Sequence, residues 1–309
     1  ATATGGAHSI WKNFTSGSNG DVHTFSVWVK AAGADYARIY VDTVGGNING
    51  PGVTFSTGNV WNVSATGVAT QVATSAVEYP NGWWRLSTTG YYSNRNDYYF
   101  HIDIEGGEGD ISYTGNGTNG IYVWGAQVEA GGFVTSYIPT NGSSATRGSD
   151  LVEITDEEFS EFYNQTEGSI VSEIMLPSSW PMSGYGSYMM TLSDGSYNNR
   201  VTLASSTGSA QFNADINIGS STPTRANLGN YTSGSYSIKA AMAYKISDSA
   251  GSLNGAAAVT SSPSGTLPLL TRADIGKDHA NYNLLNGHMK RLMYYSKRLS
   301  NNQLRTLTS

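Results

Sequence analysis

The feature that most constrains the fold of this chain lies near its middle, between residues 121 and 150. Apolar and aromatic residues alternate there with small or polar ones up to Glu129, as in a β-strand with one buried face. The pattern stops at Gly131-Gly132, and a segment of Pro, Asn, Gly, Ser and Thr follows, which is typical of a linker. Alternating apolar sequence then resumes at Leu151, so one β-domain ends here and another begins.

Length and composition agree with two β-domains. The chain has 309 residues, and domains average about 150 residues. Charged residues make up 13%, while 37 glycines and 20 tyrosines are present; ordinary domains are about 25% charged. Glycine serves tight turns and tyrosine offers a flat ring with a polar tip, a composition also typical of glycan binders and viral fibres. We predict a first domain at residues 1–140, a linker at 141–150 and a second domain at 151–309.

Short alternating segments separated by turn residues predict strands throughout. In the first domain they are 24–30, 37–41, 53–55, 82–87, 98–104 and 121–124, with a turn at 44–51. In the second domain they are 151–154, 168–176, 187–193, 199–205, 235–246 and 287–296. The predicted fold class is all-β, with two tandem antiparallel β-sandwiches of the jelly-roll or concanavalin A-like kind and one or two short helices.

Two capping boxes predict the short helices. Thr155 and Glu158 can cap each other's backbone N–H groups, which predicts a helical turn ending near Tyr163. Ser300 and Gln303 have the same spacing, which predicts a terminal helix.

Charge and cysteine content exclude several classes of protein. The net charge is −6 and no Lys/Arg cluster could neutralise a phosphate backbone, so we expect no nucleic acid partner. No apolar run approaches ~18 residues, so we expect no membrane insertion. The chain has no cysteine, hence no disulfides and no thiolate metal ligands. The polar start at residues 1–4 leads us to expect further polypeptide before it.

The junction resembles that of tail fibre and tail spike proteins of tailed bacteriophages. The similarity lies in Trp124–Glu129, Thr135–Thr140 and Ala145–Arg147. In that family a carbohydrate-binding-module-like jelly roll precedes a concanavalin A/laminin G-like domain. Further similar segments are 25–31 and 82–87 in the first domain, and 237–244, 253–255, 286–295, 298–300 and Leu304 in the second.

One strand places possible catalytic groups together. His101, Asp103 and Glu105 share a face in a strand. The spacing resembles that of three acidic residues in retaining glucanases that share the sandwich fold. Those enzymes have an acid at the first position, where this chain has His101. Their two carboxyls lie roughly 5–5.5 Å apart, whereas residues two apart on a strand are about 6–7 Å apart. We therefore interpret these residues as solvated charges at a strand edge and expect no catalytic residues.

An acidic loop follows the same strand. Glu105, Glu108 and Asp110 stand among glycines, and carboxylates in such a loop could hold a structural Ca²⁺. The spacing matches no EF-hand, and a solvated loop is the alternative. We expect no other cofactor.

Aromatic residues in loops are the candidates for glycan binding, because sugar C–H faces stack on rings while hydroxyls bond to polar side chains. The first-domain candidates are Tyr91, Tyr92, Asn94 and Arg95; the second-domain candidates are Trp180, Tyr185, Tyr188, Tyr197, Asn199 and Arg200, with Tyr231 as a further one. The alternative is that these tyrosines seal the sandwich ends or a subunit interface. The strand tryptophans 28, 83 and 124 are interpreted as core.

The resemblance implies a phage tail appendage that recognises a host-surface glycan without catalysis. It implies contacts with other virion tail proteins, a homotrimer, assembly in the host cytoplasm and a final place in the virion. Two alternatives remain: a polysaccharide lyase or glycoside hydrolase on a sandwich fold, and a structural virion adaptor or decoration module.

Overall fold

The computed structural model describes residues 4–15, 18–43, 45–94, 96–176, 186–206, 211–219, 224–230, 237–285 and 287–309. The chain forms two compact units, Ala1–Arg147 and Gly148–Ser309. Antiparallel sheets build both units, which confirms the predicted all-β class of two tandem sandwiches with short helices. Neither α-helix in the described residues has the length and apolar character needed to cross a membrane.

The first unit consists of two main sheets and a short ribbon. Its strands are β1 (Gly5–Gly6), β2 (His8–Thr15), β3 (His23–Ala32), β4 (Tyr36–Thr43), β5 (Gly46–Thr54), β6 (Asn59–Asn62), β7 (Ala69–Tyr79), β8 (Trp83–Tyr92), β9 (Asp97–Glu105), β10 (Tyr113–Thr114) and β11 (Gly120–Ala130). One sheet has the order β2-β9-β4-β5-β6, a second has the order β11-β3-β8-β7, and β1 pairs with β10.

The core of the first unit lies between its two main sheets. Phe25, Val27 and Val29 of β3 point inward and are fully buried. They pack with Ile39 of β4 and Leu86 of β8 in one apolar cluster. Fully burying a side chain of this size stabilises a fold by about 1.5–3 kcal/mol. Because strand side chains alternate, the residues between these positions face outward.

The predicted turn at residues 44–51 is wrong, because β5 runs through most of it. Its glycines permit close packing instead of a turn. A Cβ on Gly50 would lie 2.6 Å from the carbonyl oxygen of Ile39, and one on Gly52 would lie 2.2 Å from the Trp61 ring. The sequence prediction also omitted β2 and β7, which have less regular alternation.

The second unit is a larger sandwich. Its elements are β12 (Val152–Thr155), α1 (Asp156–Phe162), β13 (Glu167–Met175), β14 (Tyr188–Ser193), β15 (Arg200–Ser205), β16 (Gln211–Asn217), β17 (Thr224–Asn230), β18 (Ile238–Lys245), β19 (Ser249–Leu253), β20 (Val259–Ser261), β21 (Arg272–Ile275), β22 (His288–Tyr295) and α2 (Asn301–Leu307). The sheets have the orders β12-β21-β14-β15-β16-β17 and β20-β19-β18-β13-β22.

Both predicted helices are present, but only one has its predicted cap. Ser300 and Gln303 form a complete capping box at α2. At α1 the Thr155 side chain makes no cap and instead donates to Asp156 at 2.8 Å, so that capping box is wrong. Helix α2 packs through Leu304 against Val171 and other small apolar residues of the five-stranded sheet.

Candidate binding surfaces

The predicted first-unit cluster does not form one surface. Tyr91 and Tyr92 end strand β8 instead of lying in a loop. Tyr92 is fully buried, and its hydroxyl lies 2.9 Å from the Val41 carbonyl and accepts from the Ile48 N–H at 3.2 Å. Burial raises the pKa of Tyr92. A ring enclosed in the core offers no stacking surface, so the assignment of Tyr92 to a ligand is wrong.

The other first-unit candidates keep their status as predictions. The side chain of Tyr91 lies on the other face of the strand from that of Tyr92 and is half-buried. Asn94 is exposed. Arg95 lies outside the described residues, as do Trp180, Tyr185 and Tyr231.

The remaining second-unit candidates come together around Tyr197, which follows β14 in the turn before β15. The guanidinium carbon of Arg200 lies 5.0 Å from the centre of the Tyr197 ring, a cation–π distance. Burial raises the pKa of Tyr188, and the nearby Arg200 guanidinium opposes that rise. The side chain of Asn199 donates to Asp194 at 2.7 Å and holds the turn. We refer to Tyr188, Tyr197, Asn199, Arg200, Asp278 and His279 as the Tyr197 site.

Two residues of the Tyr197 site were not predicted, Asp278 and His279. The Tyr197 hydroxyl donates to Asp278 at 2.9 Å, and the His279 ring packs edge-on at 4.1 Å between centres. Burial and the hydrogen bond to Asp278 raise the pKa of Tyr197 to about 12. Burial also lowers the pKa of His279, so its ring is neutral at pH 7. Tyr197 nevertheless keeps 45% of its surface exposed.

Asp278 anchors this arrangement because it accepts several hydrogen bonds. Its Oδ1 accepts from the Ala280 and Tyr282 N–H groups at 3.0 and 2.8 Å, and its Oδ2 accepts from the Asn283 side chain at 2.7 Å and from Tyr197. Burial alone would raise the Asp278 pKa, but these hydrogen bonds outweigh burial and lower it. An Asp followed by polar turn residues was visible in the sequence, but it lies 81 positions from Tyr197.

Arg200 is the cation of the Tyr197 site. Its Nε donates to the Asn217 side chain at 3.3 Å. Its Nη1 is buried and has no hydrogen-bond partner in the described part of the chain. Arg200 also forms no ion pair with a described carboxylate. A partly exposed ring, a guanidinium and turn amides together provide both stacking and hydrogen-bonding chemistry.

The acids of strand β9 are buried, so the prediction of solvated charges at a strand edge is wrong. Strand β9 lies between β2 and β4, and Asp103 and Glu105 are only 3% and 2% exposed. Arg38 of β4 lies between them, with its Nε 2.9 Å from Glu105 and its Nη2 3.9 Å from Asp103. Burial raises the pKa of both carboxyls. The two acids therefore share one cation instead of facing each other across a cleft.

The candidate calcium loop is held by protein groups. Glu105 accepts from the Gly109 N–H at 2.8 Å in addition to its ion pair with Arg38. Glu108 accepts from Thr54 at 3.0 Å and from Asn59 at 2.5 Å. Among the described residues no three His, Asp or Glu side chains are placed to hold a metal ion. The suggested calcium site of Glu105, Glu108 and Asp110 stays a prediction, and two of its three carboxylates already bind protein groups.

The interpretation of three strand tryptophans as core is also wrong. Trp84, and not Trp83, packs in the core. Trp28 alternates with inward-facing residues of β3 and so faces outward, directly opposite Trp124 on β11. Trp124 is 53% exposed. We refer to the outer side of the four-stranded sheet as the aromatic face; it carries Trp28, Lys30, Tyr79, Trp83, Arg85, Tyr122, Trp124 and, from the segment after β11, Tyr137.

No family model and no curated protein matches this chain. Similar solved structures include the CBM40 of the Ruminococcus gnavus IT-sialidase bound to α2,3-sialyllactose, at 13% identity and a TM-score of 0.39, covering 52% of this chain and 97% of that one. Domains LG4-5 of the mouse laminin α1 chain match at 9% identity and a TM-score of 0.32, covering 96% and 92%. The heptameric SAP-like pentraxin of Limulus polyphemus matches at 11% and 0.34, covering 46% and 70%. These values describe a general likeness to β-sandwiches and assign neither family nor ligand.

Proposed function

We propose that this protein binds carbohydrate through the Tyr197 site of its second unit. The observation that carries the proposal is a partly exposed ring held in place by Arg200, Asp278 and His279. A ring fixed in this way loses little side-chain freedom when a sugar stacks on it. The Arg200 guanidinium and the polar turn around it would bind the sugar hydroxyls.

We further propose that the protein is a tail-appendage protein of a tailed bacteriophage that recognises a host-surface glycan. The resemblance at the domain junction and the Gly- and Tyr-rich composition support this. In this proposal the chain assembles in the host cytoplasm, becomes part of the virion and contacts other tail proteins. A homotrimer would repeat a weak site three times and so raise avidity.

Binding without cleavage is part of the same proposal. The acids on β9 are paired with Arg38 and buried, so they are not arranged as an acid and a nucleophile on opposite sides of a glycosidic bond. If incubation with a polysaccharide shortened the polymer, the alternative of a lyase or hydrolase would replace this part of the proposal.

A glycan array with the full chain tests the proposal. We expect binding to at least one glycan class, and loss of that signal in the Tyr197→Ala and Arg200→Ala variants. Trp11→Ala is the matched control, because it removes an aromatic side chain that is 60% exposed in the other unit. An array without hits would contradict carbohydrate binding and favour the structural adaptor. Light scattering that finds a monomer at micromolar concentration would contradict the trimer.

A further inference from the structure

A row of aromatic rings crosses the aromatic face of the first unit. The ring centres of Tyr79 and Trp28 are 4.4 Å apart, those of Trp28 and Trp124 are 6.2 Å apart, and those of Trp124 and Tyr137 are 4.9 Å apart. Tyr79, Trp124 and Tyr137 are all exposed. The row extends from β7 across the sheet to the segment after β11, which is longer than a single sugar ring needs.

Strand register extends this row into a surface. Trp83 of β8 pairs with both Tyr79 and Lys30, and Lys30 pairs with Tyr122 of β11. Tyr79 therefore begins a second line that continues through Trp83, Lys30 and Tyr122. It lies two residues along the strands from Trp28 and Trp124, about 7 Å away. Tyr122 is also exposed. Large exposed apolar patches on soluble proteins mark interaction sites.

The charged side chains in these two lines are both cations. The Arg85 guanidinium carbon lies 5.7 Å from the Trp28 ring centre, and its Nη2 donates to the Thr135 carbonyl at 2.6 Å. Its Nε is buried without a hydrogen-bond partner in the described residues. Neither Lys30 nor Arg85 forms an ion pair with a carboxylate that the structure describes. The register also places Glu129 on this outer side, where its carboxylate accepts from the N–H and hydroxyl of Thr135, so the two cations outnumber one acid.

We propose that the aromatic face binds an extended anionic polysaccharide. The row of rings stacks with the C–H faces of successive sugars, and Lys30 and Arg85 attract the acidic groups along the chain. The interleaving of rings with cations that form no ion pair matches a polymer that offers C–H faces and carboxylates in turn, whereas an apolar protein surface would desolvate those cations without neutralising them. The face lies in the first unit, so the inference does not depend on the Tyr197 site.

Affinity electrophoresis and calorimetry of the full chain with polygalacturonate test this site, with dextran as the neutral polymer. We expect polygalacturonate to bind more tightly than dextran and to bind more weakly at high salt. Trp124→Ala should weaken binding about tenfold, the equivalent of one lost stacking contact. Lys30→Gln should weaken it several-fold and reduce its salt dependence. Trp11→Ala, outside both proposed sites, should bind polygalacturonate like the unaltered protein.

Three results would overturn the inference. The first is equal polygalacturonate binding by the unaltered protein and by both Trp124→Ala and Lys30→Gln. The second is equal affinity for dextran and polygalacturonate. The third is an oligomer that Trp124→Ala dissociates, without polysaccharide binding by the unaltered protein, because the face would then be a contact with a second copy. Circular dichroism verifies that each variant is folded, and Lys30→Gln changes no core side chain.

Discussion

The two main sheets of the first unit differ in how far their outer faces are exposed to solvent. On the five-stranded sheet the outward residues include Arg38, Asp103 and Glu105, which are nearly inaccessible to solvent. On the four-stranded sheet the outward residues include Trp124 and Tyr122, which are exposed. The alternation is the same in both sheets, so it identifies the residues that leave the core without indicating whether something covers them.

The outer face of the five-stranded sheet is covered by a loop and by the Trp61 ring. The loop after β9 returns over its own strand, where the Gly109 N–H bonds to Glu105 and Glu108 bonds to Thr54. The ring of Trp61 covers Gly52 next to Arg38. These contacts enclose a set of charges that stabilises the fold only while it remains paired. The open face carries rings that are available to a ligand, which is why we propose the polysaccharide site there.

The largest expected effect comes from breaking the enclosed charges. Arg38→Met would leave Asp103 and Glu105 buried without their cation, and losing one partner of a buried pair costs about 3–5 kcal/mol. Urea unfolding of the full chain measures the loss in the first unit. Lys30→Met on the open face is the control and should change the free energy of unfolding by less than about 0.5 kcal/mol. A change below about 1 kcal/mol for Arg38→Met would indicate that this face is open to water.

An effect of intermediate size is expected in the pH dependence of the free energy of unfolding. Burial raises the folded-state pKa of Glu105 above its value in the unfolded chain, so the folded state binds the extra proton as pH falls from 7. The free energy of unfolding of the protein should therefore rise relative to that of Glu105→Gln on acidification, until the carboxyl is protonated in both states. Unfolding at a series of pH values from 7 to 4 measures this difference.

The opposite sign would show that the ion pair with Arg38 dominates over burial at Glu105. Asp150→Asn is the control, because it removes an exposed carboxyl from the linker. Its free energy of unfolding at the same pH values shows how the rest of the chain responds to pH. Asp278 in the second unit provides a comparison, because hydrogen bonds lower its pKa. Its contribution to stability should be present at neutral pH and lost as pH falls through that lowered value.

The smallest expected effect is on the open face. Trp124→Ala should change the free energy of unfolding by less than about 1 kcal/mol, because the side chain is 53% exposed and contacts the surface rings of Trp28 and Tyr137. Trp84→Ala is the positive control in the core and should cost about 3–5 kcal/mol. Similar losses for the two variants would mean that the aromatic face is structural, and thermal or urea unfolding distinguishes these outcomes.

Structural features with a local cause were predicted correctly from the sequence. Helix α2 was predicted from the three-residue spacing of Ser300 and Gln303, and its capping box is confirmed. Predictions were wrong where a contact with a residue distant in the chain determines the conformation or burial. Gly50 lay in a predicted turn, but it allows strand β4 to approach closely, since a Cβ there would lie 2.6 Å from the Ile39 carbonyl oxygen. Tyr92 resembled a loop residue, although its hydroxyl completes hydrogen bonds deep in the core.

The candidate sites show the same division. Arg200 and Tyr197 are three positions apart and were predicted together, and their cation–π contact is observed. Asp278 and His279 reach the same ring from a turn after β21, and no pattern in the sequence joins them to it. The aromatic face was missed because tryptophan in an alternating strand was assigned to the inner side.

An all-β protein, a polar segment between two sets of strands, and the side chains on each side of every predicted strand could be predicted from the sequence alone. These depend on turn residues and on the two-residue period of a strand, which are properties of a few consecutive residues. The side of a strand that faces the core, and the outer faces that are covered, became known from the folded structure. Those outcomes depend on strands and loops distant in the chain, whose contacts enclose Arg38 and leave Trp124 exposed to solvent.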